Sequence, residues 1–185
     1  MGKLTFMKSE LDGVFVIEPK VFGDERGYNM ETYQLEEFKE AGITRAFVQD
    51  NESLSRKGVL RGLHFQKKHP QGKLVRVLRG TVFDVAVDMR KNSPTFGKYH
   101  GIILSEENKR MFYVPEGFAH GFLVLSEVAV FSYKCTDFYH PEDEGGILWN
   151  DPDIGIDWPI DPEVKPILSE KDTKLFNLKN SDFYF

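Results

Sequence analysis

The sequence is poor in several features that would point to particular classes of protein. Cys135 is its single cysteine, so no disulfide can form within the chain and a reducing, cytoplasmic location is expected. No apolar run approaches the roughly 20 residues that a membrane-spanning helix needs, and Met1 to Ser9 lack the apolar core of a signal peptide. The 24 basic and 29 acidic side chains form no basic block. We therefore expect a protein that binds neither membrane nor nucleic acid.

Length and composition describe an ordinary globular protein. A chain of 185 residues fits one domain, which we assign to residues 1–185, with a core over about 14–140. The C-terminal part, 141–185, is rich in proline, aspartate and glycine and is expected to pack on that core as ordered loop. The 16 phenylalanines indicate a core in which aromatic rings supply much of the buried area.

Short strand-like runs separated by turn signals dominate the chain. We predict strands over 14–18, 30–33, 46–49, 59–65, 73–79, 81–89, 100–104, 110–114, 118–125 and 128–135. Many short strands at this spacing are typical of a β-sandwich or a jelly roll. The sequence therefore predicts a mainly β protein.

Two local patterns refine this prediction. One clear helix is predicted over 35–41, with Leu35 and Phe38 on one face and Gly42 as the C-terminal stop. In the run 81–89, apolar residues alternate with Asp84 and Asp88, which is the period of two that a strand requires.

Two short motifs carry most of the functional information. Pro115-Glu116-Gly117-Phe118-Ala119-His120 has the Pro-x-Gly-x-x-His form of the second cupin motif. In Gly62-Leu63-His64-Phe65-Gln66, a glutamine stands where a metal-binding cupin has the second histidine of His-x-His. Because a catalytic metal needs further ligands of suitable type, which Gln66 does not supply, no metal is predicted. His64 is then free to act as a base.

Each candidate residue also has a purely structural interpretation. His64 could be a buried histidine bonded to a backbone carbonyl, although Arg61 and Lys73 can reach the same pocket if a strand-turn-strand unit pairs. His120 could serve packing, or polarise a substrate oxygen. Tyr133 alternates with core residues, so it is either a core tyrosine or a general acid with an unperturbed pKa of about 10.

Other charged residues would be interpreted as solvated on sequence grounds alone. Arg26, in a turn, and the pair Lys171-Asp172, near the C-terminus, belong to this group. His69, beside Pro70 in a polar turn, is expected to be exposed to solvent. Cys135 is interpreted as a small buried apolar residue.

Taken together, these strings resemble the dTDP-4-dehydrorhamnose 3,5-epimerases, the cupin enzymes of dTDP-L-rhamnose synthesis. The similarity runs over nearly the whole chain. Its strings are Asp24-Glu25-Arg26-Gly27 with Glu31, Phe47-Val48-Gln49-Asp50-Asn51, Gly58 through Gln66, Pro70 through Val77, Gly80, Asp84 through Asp88, Pro115 through Phe122, Tyr133, Tyr139-His140-Pro141, Glu144, Trp149 through Pro152, Ile154 through Ile156, Trp158-Pro159 and Leu168 through Asp172. The resemblance implies a cupin-type jelly-roll barrel, a double-stranded β-helix, with a few short helices.

The resemblance also implies a reaction. The family substrate is a 4-keto sugar on thymidine diphosphate, and removing its C3 or C5 hydrogen gives an enolate with charge on the C4 oxygen. His64 would be the base, and Asp172 would orient its ring. Lys73, assisted by His120, would stabilise the enolate oxygen. Tyr133 would return a proton from the opposite face. No cofactor is implied.

The remaining contacts implied by the resemblance concern the nucleotide sugar. Arg26 and Arg61 match diphosphate-binding positions, where bidentate contacts favour arginine. The other positions that match ligand contacts are Glu31, Gln49, Asn51, Tyr139, Glu144 and Lys171. The family forms homodimers in which the N-terminal region of one partner contributes to the nucleotide site of the other, so a homodimer is expected.

One departure from the family and three alternatives remain. The family usually has an aromatic residue at the position of Asn29, whereas here the aromatic is Tyr28, a change that concerns packing beside the nucleotide. A mono-epimerase of a dTDP-4-keto-6-deoxy sugar shares the His-Asp pair and the tyrosine. A non-catalytic cupin that binds nucleotide sugars would need only the arginines. A metal-dependent dioxygenase or isomerase cupin would need more metal ligands than His64 and His120 provide.

Overall fold

Two antiparallel sheets account for most of the fold. The computed structural model describes residues 2–160, 164–181 and 183–185. The first sheet contains β1 Leu4–Lys8, β2 Phe15–Pro19, β5 Gln49–Arg56, β7 Lys73–Arg79, β10 Met111–Val114 and β12 Val128–Cys135. Its spatial order is β1-β2-β10-β7-β12-β5. The mainly β prediction is therefore confirmed.

The second sheet has five strands. These are β6 Leu60–Gln66, β8 Thr81–Asp88, β9 Tyr99–Ser105, β11 Phe118–Val124 and β13 Glu144–Gly146. They lie in the order β13-β6-β11-β8-β9. A separate hairpin is formed by β3 Val21–Asp24 and β4 Gly27–Met30. The helix is α1 Leu35–Glu40, and single 3₁₀ turns lie at Pro141–Asp143, Asp172–Lys174 and Leu178–Asn180. None of the helices within the described residues has the length and apolar composition needed to cross a bilayer.

The inner faces of the two sheets pack against each other and form the main core. Because side chains alternate along a strand, Val75 and Val77 of β7 point inward, as do Phe131 of β12 and Phe122 of β11. The rings of Phe122 and Phe131 stack with centroids 4.1 Å apart, which joins the sheets directly. The same inner faces carry the polar residues described below.

The outer faces are also covered, and this explains the buried aspartates of β8. Val85 and Val87 pack against the C-terminal segment, through Ile154, Trp158 and other apolar residues. The alternate positions of β8 therefore point into the space between the sheets. Asp84 and Asp88 are both fully buried there. A strand covered on both faces has no solvent side, so its polar positions become interior positions.

The C-terminal segment contacts the barrel at several points. Ile167 pairs with Val59, and Phe176 pairs with Ile147, in parallel bridges. Leu178 is buried, and its backbone N–H donates to Asp151. These contacts pack the described part of the C-terminal segment on the barrel.

The predicted helix is present and ends as its sequence indicates. The Gln34 side chain accepts the N–H of Glu37 and caps the N-terminus. At the other end, Gly42 has φ +94°, and Ile43 N–H donates to Phe38 O, as in a Schellman motif. Phe38 is buried, but Leu35 is 42% exposed, so only one of the two predicted apolar contacts is made in this chain.

Most predicted strands are confirmed, and most of the errors lie in the N-terminal part, although strand β13 in the C-terminal segment was also not predicted. The runs 73–79 and 128–135 coincide with β7 and β12. The run 30–33 was assigned wrongly, because β4 ends at Met30 after pairing with β3. The run 46–49 precedes β5 rather than forming a strand. Strand β1 was missed, since its exposed edge position gives it no regular apolar pattern.

Candidate active site

His64 and Asp172 form a hydrogen-bonded pair, although they are 108 residues apart in the chain. The distance from His64 Nε2 to Asp172 Oδ1 is 2.5 Å. His64 lies on the inner face of β6, and Asp172 opens a 3₁₀ turn whose backbone N–H donates to Ser169 Oγ at 3.1 Å. Asp172 is 2% exposed. Apart from the family resemblance, nothing in the local sequence indicates that Asp172 is buried.

The pair has a defined protonation pattern. Burial raises the pKa of Asp172, but the hydrogen bonds from His64 and Ser169 and the His64 charge outweigh it, so the pKa lies below its usual value. Asp172 is therefore a carboxylate that accepts a hydrogen bond from the N–H at His64 Nε2. This bond assigns the neutral imidazole the tautomer with a free lone pair on Nδ1. The Nδ1 atom lies 3.9 Å from Glu144 Oε1.

A cavity of about 510 Å³ contains this pair and most of the predicted site residues. Those that line it are Arg61, His64, Lys73, His120, Tyr133, Tyr139, Glu144, Lys171 and Asp172. The prediction that Arg61, His64 and Lys73 share a pocket is confirmed. The predicted strand-turn-strand pairing is wrong, because β6 and β7 lie in different sheets and meet across the sandwich.

The two sheets supply different chemical groups to the cavity. His64 and His120 are directly paired residues of β6 and β11 in the five-stranded sheet. Lys73 and Tyr133 come from β7 and β12, which are neighbours in the six-stranded sheet. The imidazoles therefore line one wall, and the ammonium and phenol line the other.

Lys73 and Tyr133 both occupy a desolvated environment. Burial lowers the pKa of Lys73, while the charges of Cys135, Glu144 and Asp84 oppose that shift. Burial also raises the pKa of Tyr133, against the opposing charge of Arg61. Within the described residues the Tyr133 hydroxyl has no hydrogen-bond partner. This favours a substrate-facing role over that of a core tyrosine bonded to a local partner.

Asp84 is a residue of the site that sequence reasoning missed. Its Oδ1 lies 2.8 Å from Nε2 of His120, which lines the pocket, so a second His-Asp pair borders the cavity through its histidine. Asp84 is 0% exposed, and its Oδ2 is buried without a partner among the described residues. Burial raises the pKa of Asp84, with the His120 and Lys73 charges opposing it. The sequence contained one signal for this residue, because Asp84 is a carboxylate within the long apolar run of β8.

Glu144 joins three candidate ligand contacts at the mouth of the cavity. Its Oε2 accepts hydrogen bonds from Lys171 Nζ at 2.5 Å and from Tyr139 Oη at 3.0 Å. Burial raises the pKa of Glu144, but the Lys171 bond and the His64 charge outweigh it and hold the pKa below its usual value. Lys171, which looked like a surface charge in the sequence, is thus part of the site.

Two more predicted contacts line an adjoining cavity. Gln49 and Asn51 border this space of about 290 Å³ together with His64, Lys73 and Tyr133. Gln49 Nε2 donates to Asn51 Oδ1 at 3.0 Å, and Gln49 Oε1 accepts the N–H of Tyr139 at 2.9 Å. Both side chains are therefore held in position beside the main cavity.

Arg26 and Glu31 lie outside both cavities. Arg26 is on the β3–β4 hairpin, its side chain is 84% exposed, and it pairs with Asp24 at 2.5 Å. Glu31 pairs with Lys3 at 2.5 Å. A single chain therefore does not bring these two predicted contacts to the pocket.

Gln66 has a structural use that does not fit a metal ligand. Its Nε2 donates to the carbonyls of His69 and Phe138, and its Oε1 accepts the N–H of His140. The two neighbouring histidines, His64 and His120, are each bonded to an aspartate. The donor set therefore does not match the His-x-His metal centre of metal-binding cupins.

Comparisons with known proteins agree with this architecture. A family model described as dTDP-4-dehydrorhamnose 3,5-epimerase matches residues 8–180. The dTDP-4-dehydrorhamnose 3,5-epimerase of Methanothermobacter thermautotrophicus is 57% identical over 184 residues, covering 100% of both chains. The structure of a Legionella pneumophila dTDP-6-deoxy-D-glucose-3,5-epimerase in complex with dTDP-4-keto-L-rhamnose is 54% identical, with a TM-score of 0.93 over 97% of this chain and 95% of that one.

A more distant structure bears on specificity. A 3′-monoepimerase from Streptomyces bikiniensis in complex with dTDP-quinovose has a TM-score of 0.86 and 33% identity, covering 92% of this chain and 86% of that one. The cupin-type fold inferred from the sequence is confirmed by these neighbours. The chain therefore belongs to the dTDP-4-dehydrorhamnose 3,5-epimerase family, and it is an epimerase.

Proposed function

We propose that this protein converts dTDP-4-dehydro-6-deoxy-D-glucose to dTDP-4-dehydro-L-rhamnose, by inverting C3 and C5, as a step of dTDP-L-rhamnose biosynthesis. The observation that carries the proposal is the His64-Asp172 pair in a cavity whose other wall contributes Lys73 and Tyr133. A base, an electrophilic group and an acid are the three functions that epimerisation beside a ketone requires.

His64 acts as the base. Its Nδ1 lone pair takes the proton from C3 or C5, and the electrons of that C–H bond form an enolate with the C4 ketone. An imidazole, with an ordinary pKa near 6.5, suits this step at neutral pH. Asp172 holds the ring in the required tautomer and stabilises the imidazolium that forms.

Lys73 and His120 stabilise the enolate. The Lys73 ammonium lies in a desolvated position, where its interaction with a developing negative charge is stronger than in water. His120 supplies a second polar group on the facing wall. Removing one such preorganised donor typically costs about 2.7–4 kcal/mol of barrier.

Tyr133 returns a proton from the face opposite His64. Inversion needs two faces, because a base that acts on one face alone would only exchange the hydrogen. His64 and Tyr133 belong to different sheets on either side of the cavity, which supports this division. After each inversion the His64 imidazolium gives its proton to solvent and the Tyr133 phenolate takes one from solvent, so both groups are reset before the second carbon reacts.

The nucleotide is bound by groups around this centre, and we propose that a homodimer completes the set. Arg61 lines the cavity in the same chain, whereas Arg26 and Glu31 would come from the hairpin region of the partner. The hairpin exposes Val21, Phe22 and Tyr28, which are apolar or aromatic side chains that a subunit contact would bury. Tyr139, Glu144 and Lys171 would contact the ligand at the mouth.

A mono-epimerase is the second candidate. The observation that favours it is the similarity of fold to the Streptomyces bikiniensis 3′-monoepimerase. The two functions differ in whether one or both carbons beside the ketone exchange and invert.

Incubation with dTDP-4-keto-6-deoxyglucose in D₂O distinguishes the candidates. We expect deuterium at both C3 and C5 of the product, measured by NMR. Deuterium at one carbon only would show that the protein is a mono-epimerase.

The variant His64→Ala tests the base. It should abolish turnover while dTDP affinity changes little, because the base does not hold the nucleotide. Retained turnover in that variant would refute the assignment of the base.

Tyr133→Phe tests the acid in the same assay. The variant keeps the ring packing but lacks the hydroxyl, so solvent exchange should persist better than net inversion. General acid catalysis is typically worth about 10²–10⁴-fold, and we expect the rate of inversion to fall by that range. Full epimerase activity in this variant would show that Tyr133 serves packing and that its hydroxyl is not the acid.

A further inference from the structure

Three side chains with metal-binding groups lie together outside the catalytic cavity. His69 is in the connection between β6 and β7, and Asp137 and His140 follow β12. One ligand atom from each lies within 4.8 Å of the other two. None of the three lines either cavity at the candidate active site. Two imidazoles and a carboxylate are a ligand set typical of Zn²⁺.

The backbone that carries these side chains is held by buried amides. Gln66 Nε2 donates to His69 O at 2.7 Å and to Phe138 O at 3.0 Å. Gln66 Oε1 accepts the N–H of His140 at 2.7 Å, and Gln71 Nε2 donates to Asp137 O at 2.8 Å. The two loops are thus joined before any ion binds, which reduces the ordering cost of a shared ligand site.

Neighbouring carboxylates support the ligands. His140 Nδ1 lies 3.4 Å from Glu142 Oε1, which leaves Nε2 as its free donor atom. A carboxylate on the other ring nitrogen is the usual support of a metal-bound histidine. The N–H of His69 donates to Asp143 Oδ2 at 2.8 Å, which fixes the loop. Arg45 is a weak competitor, since its Nη2 lies 3.9 Å from Asp137 Oδ2.

The two imidazoles stack, with centroids 4.1 Å apart and planes inclined by 20°. An ion bound to a ring nitrogen lies close to the plane of that ring, so both stacked rings cannot point at one ion. The His69 ring must therefore turn about its side-chain torsions. His69 is exposed, so this rotation meets no buried packing.

We propose that His69, Asp137 and His140 form a Zn²⁺ site, with water as the fourth ligand. The site would link the loop after β6 to residues 137–140, which include Tyr139. It is separate from the cupin centre, where Gln66 replaces a histidine. Gln66 instead holds the backbone of the new site.

Isothermal titration calorimetry with Zn²⁺ tests the proposal on the full chain after removal of any affinity tag. We expect one equivalent to bind, and Co²⁺ at the same site to give the visible absorption of tetrahedral coordination. The double variant H69N/H140N should bind at least about tenfold more weakly, since even residues that only support a ligand contribute about 10–100-fold. Zn²⁺ should raise the unfolding temperature of the unmodified protein and not that of the variant.

His100→Asn is the matched control, because His100 pairs with Glu10 and lies outside the cluster. It should leave Zn²⁺ binding unchanged. Glu142→Gln should weaken binding without altering the unfolding temperature in the absence of Zn²⁺. Equal Zn²⁺ affinity in the unmodified protein and H69N/H140N, or a Co²⁺ complex without tetrahedral bands, would overturn the site.

Discussion

Asp84 is a buried carboxylate that acts on the pocket through His120. The carboxylate accepts a hydrogen bond from the His120 Nε2–H at 2.8 Å and lies close enough to Lys73 for their charges to interact. It therefore holds His120 in one orientation and favours the charged form of Lys73. We infer that Asp84 is a positioning residue for the group that stabilises the enolate.

Asp84→Asn is expected to lower kcat more than it changes KM. The loss should be about 10–100-fold, less than the 10²–10³-fold typical of removing a donor outright, because His120 and Lys73 both remain. Removing the carboxylate charge also lets burial depress the pKa of Lys73 further. In the proposed mechanism Lys73 acts as the ammonium, so activity should be lost at lower pH on the alkaline side of the profile.

The measurement is the pH dependence of kcat and kcat/KM. Glu144 and Cys135 also interact with Lys73, and both are unchanged in the variant. Asp157→Asn is the control, because it removes one negative charge from an exposed loop. An alkaline limb that does not move in Asp84→Asn would contradict the link between Asp84 and Lys73.

At the scale of elements, strand β8 supplies both a site residue and a structural anchor. Asp84 bonds to His120, which lines the pocket, while Asp88, at the end of the strand, organises the turn that follows. The Asp88 carboxylate accepts hydrogen bonds from the Arg90 side chain, Ser93 Oγ and Thr95 Oγ1, at 2.6 to 2.9 Å. Burial raises the pKa of Asp88, but these bonds outweigh it and lower the pKa to about 2.

Asp88→Asn should destabilise the protein in a pH-dependent way. A pKa lowered from 3.8 to about 2 corresponds to about 2 kcal/mol of stability. Because the folded-state pKa is depressed, this contribution is complete above about pH 4 and is lost as the pH falls toward about 2. Denaturant unfolding of both proteins at pH 7 and pH 3 measures it. A stability difference that stays constant with pH would show that the charge is not the cause.

At the scale of the whole molecule, the proposed nucleotide site would be incomplete in a single chain. Arg61 borders the cavity, but Arg26 lies on an exposed hairpin, where its side chain pairs with Asp24. Exchange of hairpins in a symmetric dimer would complete both sites at once. The exposed side chains of Val21, Phe22 and Leu35 are in the same N-terminal region.

Coexpression of Arg26→Ala and His64→Ala chains tests this arrangement. If Arg26 serves the partner's site, the mixed dimer contains one site with both residues intact. We expect it to regain about half the activity of the unmodified dimer, since a two-fold dimer has two equivalent sites. The two parent homodimers are the controls and should be impaired. An inactive mixed dimer, or a monomer in sedimentation experiments, would contradict the exchange.

The sequence by itself determined most of the strands, the helix and the family. Strands such as β7 and β12 follow from local alternation and turn residues, and α1 ends at Gly42 because its left-handed backbone favours glycine. The replacement of a metal-binding histidine by Gln66 was also readable, since it concerns the chemistry of one side chain. The roles of His64, Lys73, Tyr133 and Asp172 came from the family motifs.

The tertiary structure decided which polar residues are buried and which of them meet. Asp84 and Asp172 look like solvated charges in the sequence, because burial depends on the C-terminal segment and on the facing sheet. Only the packing of two sheets brings Lys73 opposite His64, and only it separates Arg26 from the cavity. These contacts join residues far apart in the chain, so no local pattern encodes them.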